Sequence, residues 1–191
     1  MQPKQTRLDL YNNSWYRPGG SSFRRLLWYA VNVLVFNHGL FPLSGFKCFL
    51  LRLFGAKIGK GVVIKPTVNI KYPWHLEIGD FAWIGEEVWI DNLGKVSIGA
   101  HACISQGALL LCGNHNLRKS AFDLIVGSIV LEEGVWIGAK AIVCPGIKAG
   151  SHSVLTAGAV ATKNMDEWGI YSGNPAARVR TRILDEKDWN G

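Results

Sequence analysis

From residue 58 onward an apolar residue returns at every sixth position. The count runs through Ile58, Ile64, Ile70 and Leu76, restarts at Ile78, Ile84, Ile90 and Val96, and continues with Ile98, Ile104 and Leu110. After a gap it resumes at Leu131, Ile137, Val143, Ala149, Leu155 and Ala161. No helix has this period, but six divides by two, so the anchors and the residues four beyond them lie on one side of an extended chain. Those further positions are mostly small or β-branched, among them Val62, Ala82, Val88, Ala102, Ala108, Ala141, Ser153 and Ala159. Glycine follows the anchor directly at Gly59, Gly79, Gly85, Gly99, Gly138 and Gly150, where a corner leaves little room for a side chain. Three such strands per turn make a triangular coil of about eighteen residues, with rungs at the usual spacing of about 4.8 Å. The Ile-Gly pairs at 58, 78 and 98 are twenty apart, one coil plus a two-residue bulge. The fold class expected is therefore all-β dominated, a parallel β-helix filled by aliphatic ladders.

At 191 residues the chain fits one domain. Residues 1–22 read as a flexible tail, because Pro18, Gly19, Gly20, Ser21 and Ser22 end it. Residues 23–56 read as an apolar helical cap, 57–165 as the β-helix with an inserted loop at 113–129, and 166–191 as a loop and short helix holding "RVRTRILDEKDW". Open ends of stacked coils invite aggregation, so a cap is expected at each. From Leu26 to Phe46 there is no charged residue unless His38 protonates, and a run of that length reaches the membrane-spanning range. Asn32, Asn37, Gly39 and Pro42 argue against crossing. Two readings remain: the segment packs on the protein's own body, or residues 26–54 touch a membrane surface peripherally. In the second reading Trp28 and Phe36 meet lipid, flanked by Arg24, Arg25, Lys47 and Arg52.

The formal charge of +7 favours anionic partners without choosing among phosphates, nucleic acid and acidic lipid. Cys48, Cys103, Cys112 and Cys144 match neither a zinc knuckle nor a disulfide framework, so they read as thiols of a cytoplasmic protein. The first 25 residues hold no signal-peptide core. His38, His75, His101 and His152 show no paired spacing, so no metal is expected.

The repeat resembles the hexapeptide-repeat family, whose members form a left-handed parallel β-helix. That hand is implied by the resemblance alone, since the general crossover rule favours the opposite one. The likeness spans roughly residues 56 to 182. More narrowly, "LLRLFGAKIGKGVVIKPTVNIKYPWHLEIGD" and "GNPAARVRTR" resemble the sugar O-acetyltransferases of colanic acid biosynthesis, and this match extends upstream to about residue 20.

The resemblance implies an acetyl-CoA-dependent O-acetyltransferase of a surface polysaccharide or its lipid-linked precursor. It also implies a homotrimer with each site between two subunits, and no nucleic-acid partner. The insertion opens with "CGNHN", where the count of six from Leu110 lands on Asn116 instead of an aliphatic residue. In the family a histidine at such an excursion is the general base, which points to His115. Neutral imidazole suits removal of a hydroxyl proton near neutral pH. Asp123, Glu132, Asp91 or a backbone carbonyl would orient it, and Cys112 is the competing nucleophile. On the coenzyme side, Ala139, Ala157, Gly158 and Thr162 would offer backbone to the pantetheine arm and Lys163 would meet phosphate. Pro175 would bound the adenine, Arg178 and Arg180 would address the 3′-phosphate, and Trp136 would stand beside the thioester. For the acceptor, Glu86, Asp91, Asn92 and Asn114 are candidates by position, since "GEEVWIDN" replaces the asparagines of galactoside-type relatives. The alternatives are a non-catalytic β-helix scaffold and a β-helix carbonic anhydrase, whose three metal-binding histidines are missing.

Overall fold

The structure, a computed structural model, describes residues 5–185. Its body is a parallel β-solenoid of very short strands on three faces. The first face stacks Lys57–Ile58, Leu76–Ile78, Val96–Ile98, Ile129–Leu131 and Lys148–Ala149. On the second lie Val63–Ile64, Trp83–Ile84, Cys103–Ile104, Trp136–Ile137, Val154–Leu155 and Gly169–Gly173. The third is built from Asn69–Ile70, Trp89–Asp91, Leu109–Leu111, Ile142–Val143 and Val160–Ala161.

The register confirms the six-residue count. Ile58, Ile78, Ile98, Leu131 and Ala149 align rung on rung. So do Ile64, Ile84, Ile104, Ile137 and Leu155, and Ile70, Ile90, Leu110, Val143 and Ala161. All but half-buried Ile58 are buried, and burying one such aliphatic side chain is worth about 1.5–3 kcal/mol. The extra two residues of the twenty-residue coils fall at the corner from third face to first, where Pro73–His75 forms a 3₁₀ turn. After the insertion the coils shorten to eighteen, as Leu131 opposite Ala149 shows. Gly138 illustrates why glycine follows an anchor: a Cβ there would sit 2.5 Å from the backbone nitrogen of Ala157 in the next coil.

Two helices cover the amino-terminal end. Ser21 caps α1 (Ser22–Val31) by accepting from Arg24 N–H, and the helix runs on as a π-helical turn, Asn32–Phe36, before α2 (Ser44–Leu53). Trp28 donates from Nε1 to Ile70 O at 2.8 Å and its ring packs on Phe36 and Phe54. Lys47, fully buried, donates from Nζ to Lys65 O at 2.8 Å, and burial lowers its pKa. The end-capping reading therefore holds, with a correction to the membrane reading. Trp28 and Phe36 are 2% and 0% exposed, held on the first coil by hydrogen bonding and ring packing, so neither meets lipid. Lys47 points inward, and Arg24 is engaged with Phe54 O and the Trp74 ring. No helix among the described residues is long and apolar enough to cross a membrane.

Two further expectations need correcting. The tail is not free over its described part: Leu8–Leu10 makes a 3₁₀ turn, Arg7 N–H donates to Ser120 O at 2.7 Å, and Tyr16 hydroxyl donates to Leu93 O at 2.8 Å. Trp74 Nε1 donates to Pro18 O at 2.7 Å, so aromatic donors fasten the segment along the corner. Nor does a helix follow Pro175 among the described residues. Gly169–Gly173 turns through Asn174 and Pro175 into Ala176–Thr181 as an antiparallel hairpin that extends the second face. Tyr171 continues the inward ladder after Leu155, and only a strand can offer that side chain while pairing the open sheet edge. Residues 186–191 of the expected helix lie outside the described residues.

Candidate active site

The insertion is itself a hairpin. Gly113–His115 pairs antiparallel with Leu124–Val126, with His115 opposite Leu124. It springs from the corner between the third and first faces. Cys112 N–H donates to Asp91 O and Gly127 N–H to Cys112 O, which hold its base to the coils. Asn116 N–H donates to Asp123 O at 2.8 Å, and the Asn116 carboxamide oxygen accepts from Arg118 N–H at 3.0 Å. The position that breaks the aliphatic count thus starts the hairpin's turn.

Half-buried His115 has three contacts. Its Nδ1 lies 2.8 Å from Phe122 O, its ring stacks on Phe122 at 4.4 Å and 8°, and the Tyr11 ring stands 5.7 Å away, tilted by 58°. A carbonyl can only accept, so Nδ1 is the donor, and in the neutral ring that tautomer places the lone pair on Nε2. Phe122 achieves both contacts with a left-handed backbone, φ 56°. Of the orienting groups considered, the backbone carbonyl is the one in place. Asp123 pairs with Lys119 at 2.8 Å, Glu132 with Lys148 at 2.7 Å and Asp91 with Lys71 at 2.8 Å. Cys112 is fully buried and burial pushes its thiol up to about 11, which removes it as a nucleophile at neutral pH.

The acceptor candidates separate. Asn114 is exposed, and its carboxamide oxygen accepts from His115 N–H at 2.8 Å. Asp91 is nearly buried beneath the hairpin's root. Asn92 is fully buried: its oxygen accepts from Tyr72 N–H and its amide donates to Tyr72 O, so its polar atoms bind one coil to the next. That corrects its assignment to a sugar. Glu86 sits at a different corner, between second and third faces.

At that same corner lie Ala139, Ala157 and Gly158, with Gly158 N–H donating to Ala139 O at 2.8 Å. Gly158 is exposed, with φ 69° and open space where a Cβ would be. The Pro175 turn projects just beyond, since its strand pairs alongside Val154–Leu155. Trp136 is 46% exposed on the second face and donates from Nε1 to Ser105 Oγ at 2.9 Å. Arg178 and Arg180 lie exposed on the outer strand of the carboxy-terminal hairpin, and Arg178 Nη2 donates to Thr181 Oγ1 at 3.2 Å. Thr162 and Lys163 are exposed at the corner from third face to first, the one His115 springs from, but at later coils. Within one chain, then, the histidine and the Ala139–Gly158–Pro175 group occupy different corners. Phe122 and Tyr11 were missed from sequence, because a lone aromatic in a turn or a tail has no spacing that reveals its target.

Solved structures share this stack of short parallel strands. A hexapeptide-repeat acetyltransferase of Vibrio cholerae, complexed with acetyl-CoA, superposes with TM-score 0.75 at 23% identity over 85% of this chain and 91% of that one. A galactoside acetyltransferase in complex with coenzyme A gives TM-score 0.74 at 23% identity, covering 83% and 80%. These likenesses establish the shared fold. No family model matches the chain. The colanic acid biosynthesis acetyltransferase WcaF of Escherichia coli is 40% identical over 168 residues, 88% of this chain and 92% of its own length. The chain therefore belongs to the colanic acid biosynthesis acetyltransferase family of hexapeptide-repeat proteins.

Proposed function

We propose that the chain transfers acetyl from acetyl-CoA directly to a sugar hydroxyl of a surface polysaccharide or its lipid-linked precursor, with His115 as general base. The observation that supports this most is the bond from His115 Nδ1 to Phe122 O, which leaves Nε2 free to take a proton. Nε2 accepts the hydroxyl proton as the sugar oxygen attacks, and the imidazolium returns it to the departing sulfur. Acetyl-CoA supplies the activated thioester carbonyl. A backbone N–H meets the negative charge that grows on the thioester oxygen. Exposed Gly158 and Ala157, the oriented Trp136 ring and the cationic Lys163, Arg178 and Arg180 suit an extended coenzyme ending in phosphates.

Because His115 and the Ala139–Gly158 corner are apart in one chain, a homotrimer in which one subunit's His115 faces a neighbour's coils completes the site. Asn114, beside the base and exposed, is the acceptor contact of choice. The free thiols and use of acetyl-CoA suit the cytoplasm. The test is transfer of radiolabelled acetyl from acetyl-CoA to a panel of sugars and saccharide–lipids, with coenzyme A melting shifts and light scattering alongside. Labelled O-acetyl product, a raised melting temperature and a trimer are expected. No hydroxyl acetylated and no shift with coenzyme A would contradict the reading.

A further inference from the structure

The cap turns an apolar surface to solvent. Trp28, Asn32 and Phe36 of the first helical run face the coils, and so do Lys47, Cys48 and Leu51 of α2. The opposite sides of a surface helix ordinarily carry polar residues. Here they carry Phe23, Leu26 and Leu34 on the first run and Phe49 and Leu53 on α2, with Leu40 between, each from 57% to 82% exposed. Phe46 packs against both Phe41 and Phe49, so the ridge is continuous. Exposed apolar patches of this kind mark interaction sites.

Charge indicates the occupant. Between Asp9 and Glu77 the chain has no acidic residue and nine lysines and arginines. Some of these cations are spent internally, and Arg25 of α1 donates to Gly19 O, Gly20 O and Ser22 Oγ, but Arg52 of α2 remains exposed while donating to Ile58 O and Gly59 O, and Lys60 and Lys65 are exposed on the first coil that α2 covers. A second copy would set this positive region against itself, a like-charge arrangement that association avoids. An anionic bilayer complements both features, taking apolar side chains into the acyl boundary and cations at the headgroups. We infer that the outer face of the cap docks the protein peripherally on an anionic membrane surface. Residues other than the buried Trp28 and Phe36 do this work, and no helix crosses the bilayer.

Vesicle binding requires no acetyl transfer, so it stands or falls apart from the catalytic reading. The experiment is co-sedimentation of the full chain with phosphatidylcholine vesicles, plain or with about 30% phosphatidylglycerol, at low and high salt. Wild type should pellet with the anionic vesicles and be released by salt. The Leu26→Glu/Leu34→Glu variant should bind at least roughly tenfold more weakly, as should Phe49→Glu on the other helix, both with wild-type melting. Wild type left in the supernatant at low salt, or folded variants that pellet equally well, would overturn the proposal. So would variants that lose subunits by light scattering while wild type ignores vesicles, since the face would then be a subunit contact.

Discussion

Ile104 and His115 belong to the same stretch of chain and are held in opposite ways. Ile104 has an aliphatic partner on the rung to either side, Ile84 and Ile137, no exposed surface, and backbone bonds that every coil repeats. His115 lies on a hairpin inserted between two coils, positioned by one carbonyl, one stacked ring and a neighbouring tyrosine. Repetition gives the body stability, because each side chain is fixed by equivalents above and below. Departure from repetition is what the proposed chemistry needs, because the inward positions of the ladders are closed to solvent while the half-buried His115 ring stands outside them.

The sharpest way to break this contrast is a pair of alanine variants. His115→Ala should lower turnover by roughly 10²- to 10⁴-fold, with little change in stability. Ile104→Ala should instead cost about 2–5 kcal/mol of stability, read from denaturant melts, because it opens a cavity in the filled coil. Activity lost with His115→Ala only in proportion to lost folding would erase the distinction.

A smaller effect is expected at Phe122. Phe122→Gly keeps the carbonyl and tolerates the left-handed backbone but deletes the stacked ring. Turnover should fall roughly tenfold, about 1.4 kcal/mol of transition-state stabilisation, while the KM for acetyl-CoA stays put. A change confined to KM would assign the ring to binding instead of positioning.

The smallest effect belongs to Cys112, at the hairpin's root. Cys112→Ala should retain most activity and cost about 1 kcal/mol of stability. Mass spectrometry of wild type with acetyl-CoA should find no acetylated cysteine, whereas a trapped acetyl-thioester would reinstate the covalent route.

These contrasts also explain what was legible in the sequence. The ladders are readable residue by residue, since every anchor stacked on its equivalents carries an apolar side chain, and Asn116 stands out against that run. The cap was legible as apolar but not as to which side faced out. A segment apolar all round conceals its orientation until Trp28 finds Ile70 O and Lys47 finds Lys65 O. The carboxy-terminal strand reads as a helix from sequence because its charges resemble a solvated helix face, while the open sheet edge it pairs with exists only in three dimensions. Likewise "CGNHN" marked where the chain leaves the coils and carries His115, but not what orients the ring, because a backbone carbonyl carries no side-chain signature.

The central claim, that Phe122 O fixes the His115 tautomer so that Nε2 is the base, is most directly tested by ¹⁵N-histidine NMR of the wild type compared with His115→Ala to assign the ring. At a pH where the imidazole is neutral, the His115 signals should show a protonated Nδ1 and an unprotonated Nε2. A proton on Nε2, or rapid averaging between the two nitrogens as in a solvent-exposed loop histidine, would contradict it.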